Sequence, residues 1–366
     1  MRWPWKRQGS GDQLVVSWSG QALAYVLARK RSDGMHEVLK SGVERQGADS
    51  LEGFVHRLQD LGLKGHETRV MLWPEQYQVL QIDAPAVAPE ELRAAARYQI
   101  REMLESHVDD VTLDVMRVGD GQQKGAGLLF VVAATNAVVR GVLDLAGVMQ
   151  WTVSVIDIQE TAQRNLQNAL VGSEGHADRA NAALVLVDGH QAVLTISANE
   201  ELFYTRRFEL PEGFLAGAWG PGSDTSAGSG SAASAYSPVD EYVPDYNVGG
   251  VSYGNDYTDT RAIAPASSAG SFGGEDDKAQ RFVVEVQRSL DVWSRSWSSM
   301  PLDALRVYAG SRSGELANWL TGQLGQTVLP MNVNAMFPGF DGMTEGGQSM
   351  CLPLLGELLR TEDRKL

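Results

Sequence analysis

Residues 13–42 and 181–210 each read as three strands in a row joined by short turns, and each run leads into alternating strand and helix patterns. LVVSWSG, ALAYVLARK and HEVLKSG form the first run; ALVLVDG, QAVLTISAN and ELFYTRRFEL form the second. An antiparallel meander followed by strand–helix units, written twice along one chain, predicts a duplicated α/β arrangement with mixed sheets. The 366 residues leave room for two domains of ordinary size, and a hydrophobic fraction of 43% supports a core in each.

After the first meander, LEGFVHRLQDLGL places Leu51, Phe54, Val55, Leu58 and Leu61 on one helical face. TRVMLW and QYQVLQIDAP follow as strands. Pro89 then opens a helix, where its missing N–H costs nothing, and Glu90 and Glu91 suit the positive end of the helix dipole. Leu92, Ala95, Ala96, Ile100, Met103 and Leu104 make its apolar stripe. VTLDVMRV and GLLFVVAAT read as strands, with GDGQQKGAG as the loop between them. A helix over 136–147, the strand TVSVIDI and a helix from IDIQETAQRNLQNALV end a first lobe spanning 13–170.

A second lobe is expected over 181–212 and 278–366. Between its parts, residues 213–277 are rich in Gly, Ser, Ala, Asp and Tyr and poor in aliphatic residues, which predicts a disordered acidic insertion. Five tyrosines lie there, at 236, 242, 246, 253 and 257. They suit sticky contacts, phosphorylation or a loose insertion with no ligand. Beyond it, Phe282, Val283, Val286, Leu290, Trp293 and Trp297 share a helical face; LRVYAG, SGELANWLTGQLG and TVLPMNV alternate strand, helix, strand; and CLPLLGELLR, 351–360, reads as a short closing helix.

The formal net charge is −15, which argues against a nucleic-acid backbone as partner. Nine acids and one Arg in the insertion account for −8 of it, so the rest is only mildly acidic. No window approaches 18 consecutive apolar residues, and residues 1–12 lack a secretory pattern. That flexible lead places Trp3 and Trp5 among Arg2, Lys6 and Arg7, which suits either a frayed charged terminus or a lipid headgroup zone. The one cysteine, Cys351, excludes an internal disulfide and reads as a small buried residue. The six histidines show no pair at metal-ligand spacing with a carboxylate, and Asp109 and Asp110, adjacent on an extended segment, face opposite ways. No catalytic residue and no metal site is expected.

Four stretches together carry a resemblance: IDAPAVAPEELRAAARYQIREMLESHVDDVTLDVMRVG; GLLFVVAATNAVVRGVLDLAGVMQWTVSVIDIQETAQRNL, with Asp157 and Glu160 in an Asp-x-x-Glu spacing; ALVLVDGHQAVLTISANEELFYTRRFEL; and LRVYAGSRSGELANWLTGQLGQTVLPMN. In combination they resemble the actin-like platform proteins of type IV pilus machines, the family of PilM and the cytoplasmic part of GspL, over nearly everything except 1–12 and 213–277. The resemblance implies an actin-like, PilM/FtsA-type two-lobed fold with an extra subdomain at about 75–135. It also implies a cytoplasmic scaffold at the inner membrane that binds the short N-terminal peptide of a PilN-like single-span protein and communicates with the assembly motor.

Position by position, the nucleotide motifs of that fold depart from the family. Ser17 stands for the usual Asp of the first phosphate hairpin, Ser19 for its Gly and Ala24 for its Lys. The second hairpin keeps Asp188 but has His190 for Gly; the third motif keeps Gly310 but has Ala309 for Gly and Arg312 in the loop. Asp188 and Gly310 are thus the remnants of a vestigial cleft, and the expectation is a pseudo-ATPase without a cofactor. The alternatives are an actin-superfamily ATPase or kinase binding ATP and magnesium, and an interaction protein unrelated to pili. For the partner peptide, the helix after Glu90 is the expected wall, with Leu92 and Tyr98 in contact.

Overall fold

The computed structural model describes residues 11–119, 127–176, 179–187, 189–217, 219, 275–342 and 345–361. The first lobe starts with β1 (Asp12–Trp18), β2 (Ala22–Lys30) and β3 (His36–Arg45), an antiparallel meander. α1 (Leu51–Asp60) follows, started by Ser50, whose Oγ accepts from Gly53 N at 3.2 Å. β4 (Glu67–Met71) then lies parallel to β1, and β8 (Thr152–Asp157) parallel to β4, giving the order β3-β2-β1-β4-β8. Between β4 and β8 the chain makes β5 (Tyr77–Asp83), α2 (Leu92–Gln99), β6 (Val111–Arg117), β7 (Leu128–Thr135) and α3 (Asn136–Met149). β5, β7 and β6 form a separate antiparallel sheet in that order, and Ala96 and Ile100 of the helical segment pack on Leu113, Val131 and Ala133 of one face.

After α4 (Gln159–Glu174) the second lobe repeats the first. β9 (Ala180–Leu186), β10 (Gln191–Ala198) and β11 (Glu201–Glu209) form the meander. β12 (Leu302–Tyr308) and β13 (Val328–Pro330) extend it in parallel, so the order β11-β10-β9-β12-β13 matches the first sheet strand for strand. α5 (Glu275–Ser296) and α6 (Ser313–Leu324) cover this sheet. The expected stripe from Phe282 to Trp297 packs here, with Trp297 only partly buried.

α7 (Glu345–Leu358) and α4 pack on each other between the two sheets. One core cluster joins Val15, Ala24 and Val26 of the first lobe, Ala183 and Val185 of the second, and Cys351, Leu352 and Leu355 of α7. The helices touch backbone to backbone: a Cβ on Gly356 would lie 1.9 Å from the Ala162 carbonyl oxygen, so this crossing admits no side chain. Burial pushes the Cys351 thiol up to about 12, which leaves it protonated and inert.

Four sequence expectations need correction. Leu51 occupies the first turn of α1 and is 54% exposed, outside the buried face made by Phe54, Val55 and Leu58. The helix begun by Pro89 is a 3-10 turn first and becomes α-helical only at Leu92. The closing helix starts at Glu345, six residues before the expected Cys351, and carries Pro353 inside it. The insertion begins later than 213, because Phe214 and Trp219 are buried in the second-lobe core. Its expected disorder and its tyrosines fall outside the described residues.

Candidate functional site

At the first phosphate-type hairpin, Ser17 and Ala24 are cross-strand partners, and both are fully buried. The turn is closed by Ser19: its Oγ accepts from Ala22 N at 3.0 Å and lies 3.4 Å from Gln21 N. These are the kind of turn amides that phosphate loops direct at a ligand, and here a hydroxyl takes them. A 670 Å³ cleft lies in front of the turn, lined by Ser19–Ala22, Arg45, Gln46, Gly47, Trp73, Glu75 and Met350.

At the third motif, Gly310 has φ +62, and its carbonyl accepts from Ser313 Oγ at 2.6 Å, while the same hydroxyl accepts from Ala309 N at 2.9 Å. Arg312 is partly buried. Its guanidinium sits 3.8 Å over the Trp219 ring, donates to Gly217 O at 2.7 Å and to Leu215 O, and pairs with Glu315 at 2.7 Å. That hydrogen-bonded pairing holds Glu315 below the usual carboxylate range. Trp219 stacks on Trp319 and meets Phe214, which packs on Phe282. The strand–helix unit that the resemblance sets beside adenosine is therefore roofed by the chain's own Leu215, Gly217 and Trp219. Sequence reading missed this roof because two aromatic anchors in a Gly/Ala-rich run look like insertion; their spacing beside Pro211 was the available signal. At the described positions of these two motifs, the Ser19 and Ser313 hydroxyls accept from loop amides, while the 670 Å³ cleft stays open in front of the first turn. His190 is exposed, and its carbonyl accepts from Leu210 N at 2.7 Å. Asp188, Trp3 and Trp5 lie outside the described residues.

Asp157 and Glu160 are both committed to the fold. Asp157 Oδ1 accepts from Ile158 N at 2.8 Å and lies 2.5 Å from Thr161 Oγ1, and Asp157 also pairs with Arg360. Glu160 Oε2 accepts from Tyr77 OH at 2.5 Å, and Oε1 accepts from Arg207 at 2.8 and 3.0 Å. Arg207 also donates to Pro74 O at 2.6 Å and stacks 4.3 Å over the Tyr77 ring. Burial, then the Glu160 charge, pushes the Tyr77 hydroxyl well above its ordinary value. Burial opposes the Arg207 charge, yet Tyr77 and Glu160 outweigh it and hold Arg207 above its usual range.

A second cleft, of 730 Å³, lies where the three-stranded sheet faces β8. Its apolar lining comes from Leu92, Val115, Met116, Val132, Ile156 and Leu202 among others. Leu92 is in this lining but only 7% exposed, because it also anchors α2. Tyr98 is 80% exposed and is not in the lining. Six residues along a helix turn about 240°, so the two side chains cannot share one wall; the expected pairing of Leu92 with Tyr98 is corrected accordingly. Among the described residues no helix is long and apolar enough to cross a membrane, and no group of three or more His, Cys, Asp or Glu is gathered as a metal site.

No family model and no curated protein matches this chain. Solved structures do. A chain of the PilM-PilN type IV pilus biogenesis complex is similar at 15% identity and a TM-score of 0.62, with 95% of this chain and 98% of that one covered. The cytoplasmic domain of EpsL, an inner-membrane component of the type II secretion system of Vibrio cholerae, aligns at 15% identity and TM-score 0.39 over 56% of this chain and 74% of its own. A Bacteroides thetaiotaomicron protein of unknown function with an actin-like ATPase fold aligns at 8% identity and TM-score 0.44 over 90% and 95%. The near-complete overlap with the pilus protein and the strand-for-strand repetition of the two sheets agree: this chain has an actin-like fold with an added three-stranded subdomain.

Proposed function

We propose that this chain is a non-catalytic scaffold of a type IV pilus biogenesis machine, of the MshI type, working at the cytoplasmic face of the inner membrane. Its partner is the N-terminal peptide of a PilN-like membrane protein, and the assembly motor is a further contact. The observation that carries the reading is fold likeness over the whole length of a protein that is itself part of a PilM-PilN complex. The 730 Å³ apolar cleft beside the added subdomain supports it, since a peptide groove needs a preformed apolar slot or an unpaired sheet edge. Trp3 and Trp5 would add a weak membrane contact.

Arg312, Trp219 and Ser19 favour a pseudo-ATPase, because they take the room and amides that a nucleotide would use. The runner-up is an actin-superfamily protein that binds ATP at Asp188 and Gly310. Co-purification of the full chain with a peptide copying the partner's first ten or so residues tests the scaffold, and failure to capture it removes that reading. Calorimetry with magnesium–ATP tests the runner-up, which micromolar binding would establish.

A further inference from the structure

The segment that carries Trp3 and Trp5 joins the fold at one definite place. β1 starts at Asp12 and is the middle strand of the first-lobe sheet. β4 and β8 run parallel to it, so their starts at Glu67 and Thr152 lie at the same end of the sheet. The turn between the antiparallel strands β2 and β3, residues 31–35, lies there too. The Ser19–Ala22 turn and its 670 Å³ cleft are at the opposite end.

Two apolar side chains are held out at the end where residues 1–11 join. Met35 is 38% exposed, and Val148, in the last turn of α3, is 55% exposed. The turn under Met35 is closed: Arg31 N donates to Met35 O at 2.8 Å, Gly34 N to Arg31 O at 3.0 Å, and Met35 N to the Asp33 carboxylate at 3.0 Å. On the other side of β1, Gly65 N donates to Met149 O and Thr152 N to His66 O, both at 3.0 Å, and Trp151 Nε1 donates to Leu63 O at 2.5 Å. The loops before β4 and β8 are thus braced as one unit. The ends of β2, β1 and β4 separate Met35 from Val148, which at the usual strand spacing sets them on the order of 15 Å apart. Two single apolar tips so far apart do not make one pocket for a protein side chain; a flat, fluid surface accepts both.

Charge says which surface. Residues 12, 29–37, 60–67 and 147–152 of this end hold four cations and five acids, and two of the cations are closed as Arg29–Asp12 and Arg31–Asp33. Residues 1–11 add Arg2, Lys6 and Arg7 and no acid. This end is therefore net +2 on a chain whose formal charge is −15. Cations attract anionic headgroups, indole rings settle at headgroup level, and exposed apolar tips reach just below it.

We propose that this end of the first lobe rests on an anionic lipid bilayer, with Met35 and Val148 entering the headgroup layer on either side of β1 and Trp3 and Trp5 seated between them. The proposal deepens the membrane-face part of the scaffold reading by naming the face, and it needs no partner peptide, so the two can fail separately. Either element alone binds weakly; the basic, Trp-bearing segment and the folded tips act as two signals together.

Flotation of the full chain, without an N-terminal tag, on vesicles of phosphatidylglycerol and phosphatidylethanolamine tests this, with phosphatidylcholine vesicles as the neutral reference. Binding to the anionic vesicles is expected, weakening with salt, and little on the neutral ones. Lys6→Ala and Arg7→Ala should each lower vesicle affinity by about fivefold, the effect of one cation near such a surface. Met35→Ser, Val148→Ser and Lys30→Ala, at exposed positions, should each lower it severalfold, with circular dichroism unchanged. Val284→Ser, at an exposed apolar position on α5, should leave it as it was. Loss in the Lys6 and Arg7 variants with full binding in the Met35, Val148 and Lys30 variants overturns the folded surface and leaves a bare tether. Equal loss in Val284→Ser overturns the choice of face. No binding to anionic vesicles overturns the proposal and leaves this end to a protein partner. None of these results bears on capture of the partner peptide, which decides the scaffold reading.

Discussion

Arg207 on β11 of the second lobe donates to Glu160 at the start of α4 at 2.8 Å, and the Glu160 side chain is 1% exposed. The pair fastens the second-lobe meander to the helix between the lobes, and Tyr77 adds the added subdomain to the same carboxylate. Removing one member of a buried pair strands the other. Glu160→Ala should therefore destabilise the protein by about 3–5 kcal/mol, and Arg207→Met by a similar amount. Urea unfolding of both single variants and the double variant checks this; the double variant should lose clearly less than the sum.

Gly356→Ala should be among the most disruptive small changes in the chain. Its Cβ would enter the Ala162 carbonyl oxygen at 1.9 Å, and backbone cannot rotate aside as a side chain can. A loss of about 3 kcal/mol is expected from overpacking. Gly141→Ala on the exposed side of α3, with nothing within 4 Å, should instead be neutral or stabilising. Thermal unfolding of the two variants side by side distinguishes them.

His36 gives a pH-dependent component of stability. Burial first, then the charges of Lys30 and Arg69, lowers its pKa below the ordinary value of 6.5. Between the folded and unfolded pKa the unfolded chain binds more protons, so stability rises with pH across that window. The contribution is present above the unfolded value and is lost as pH falls toward the folded one. His36→Gln should flatten this part of the stability–pH curve, and an imidazole titration by NMR should place the folded midpoint below 6.5.

Where the insertion is cut should decide whether the second lobe survives. Replacing 220–273 by a short Gly/Ser linker retains Phe214, Trp219 and Phe282, which close the core on either side of it. Replacing 213–277 removes Phe214 and Trp219 and exposes Trp319 and Arg312. Truncating one large buried aromatic typically costs about 3–5 kcal/mol, so the longer replacement should unfold the lobe or lower its melting temperature sharply. Circular dichroism melts of the two variants check the difference.

Strand and helix identities were readable because each depends on neighbours in sequence. Short apolar runs bounded by turn residues mark the meanders, and the stripe from Phe282 to Trp293 marks α5. The roof over the third motif could not be read this way, since Arg312 meets Leu215 and Gly217 across nearly a hundred residues. Of the two side chains expected on one wall, Leu92 lines the 730 Å³ cleft and Tyr98 does not, which only the helix phase in the fold reveals.

By itself the sequence determined two equivalent α/β halves and the aromatic faces of the helices, both consequences of local periodicity and residue type. Only the tertiary structure decided that β6 and β8 end their sheets beside one cleft, that Glu160 meets Arg207, and that Gly356 meets Ala162. Those contacts join residues far apart in the chain, and sheet order and helix crossing, which no local pattern encodes, bring them together.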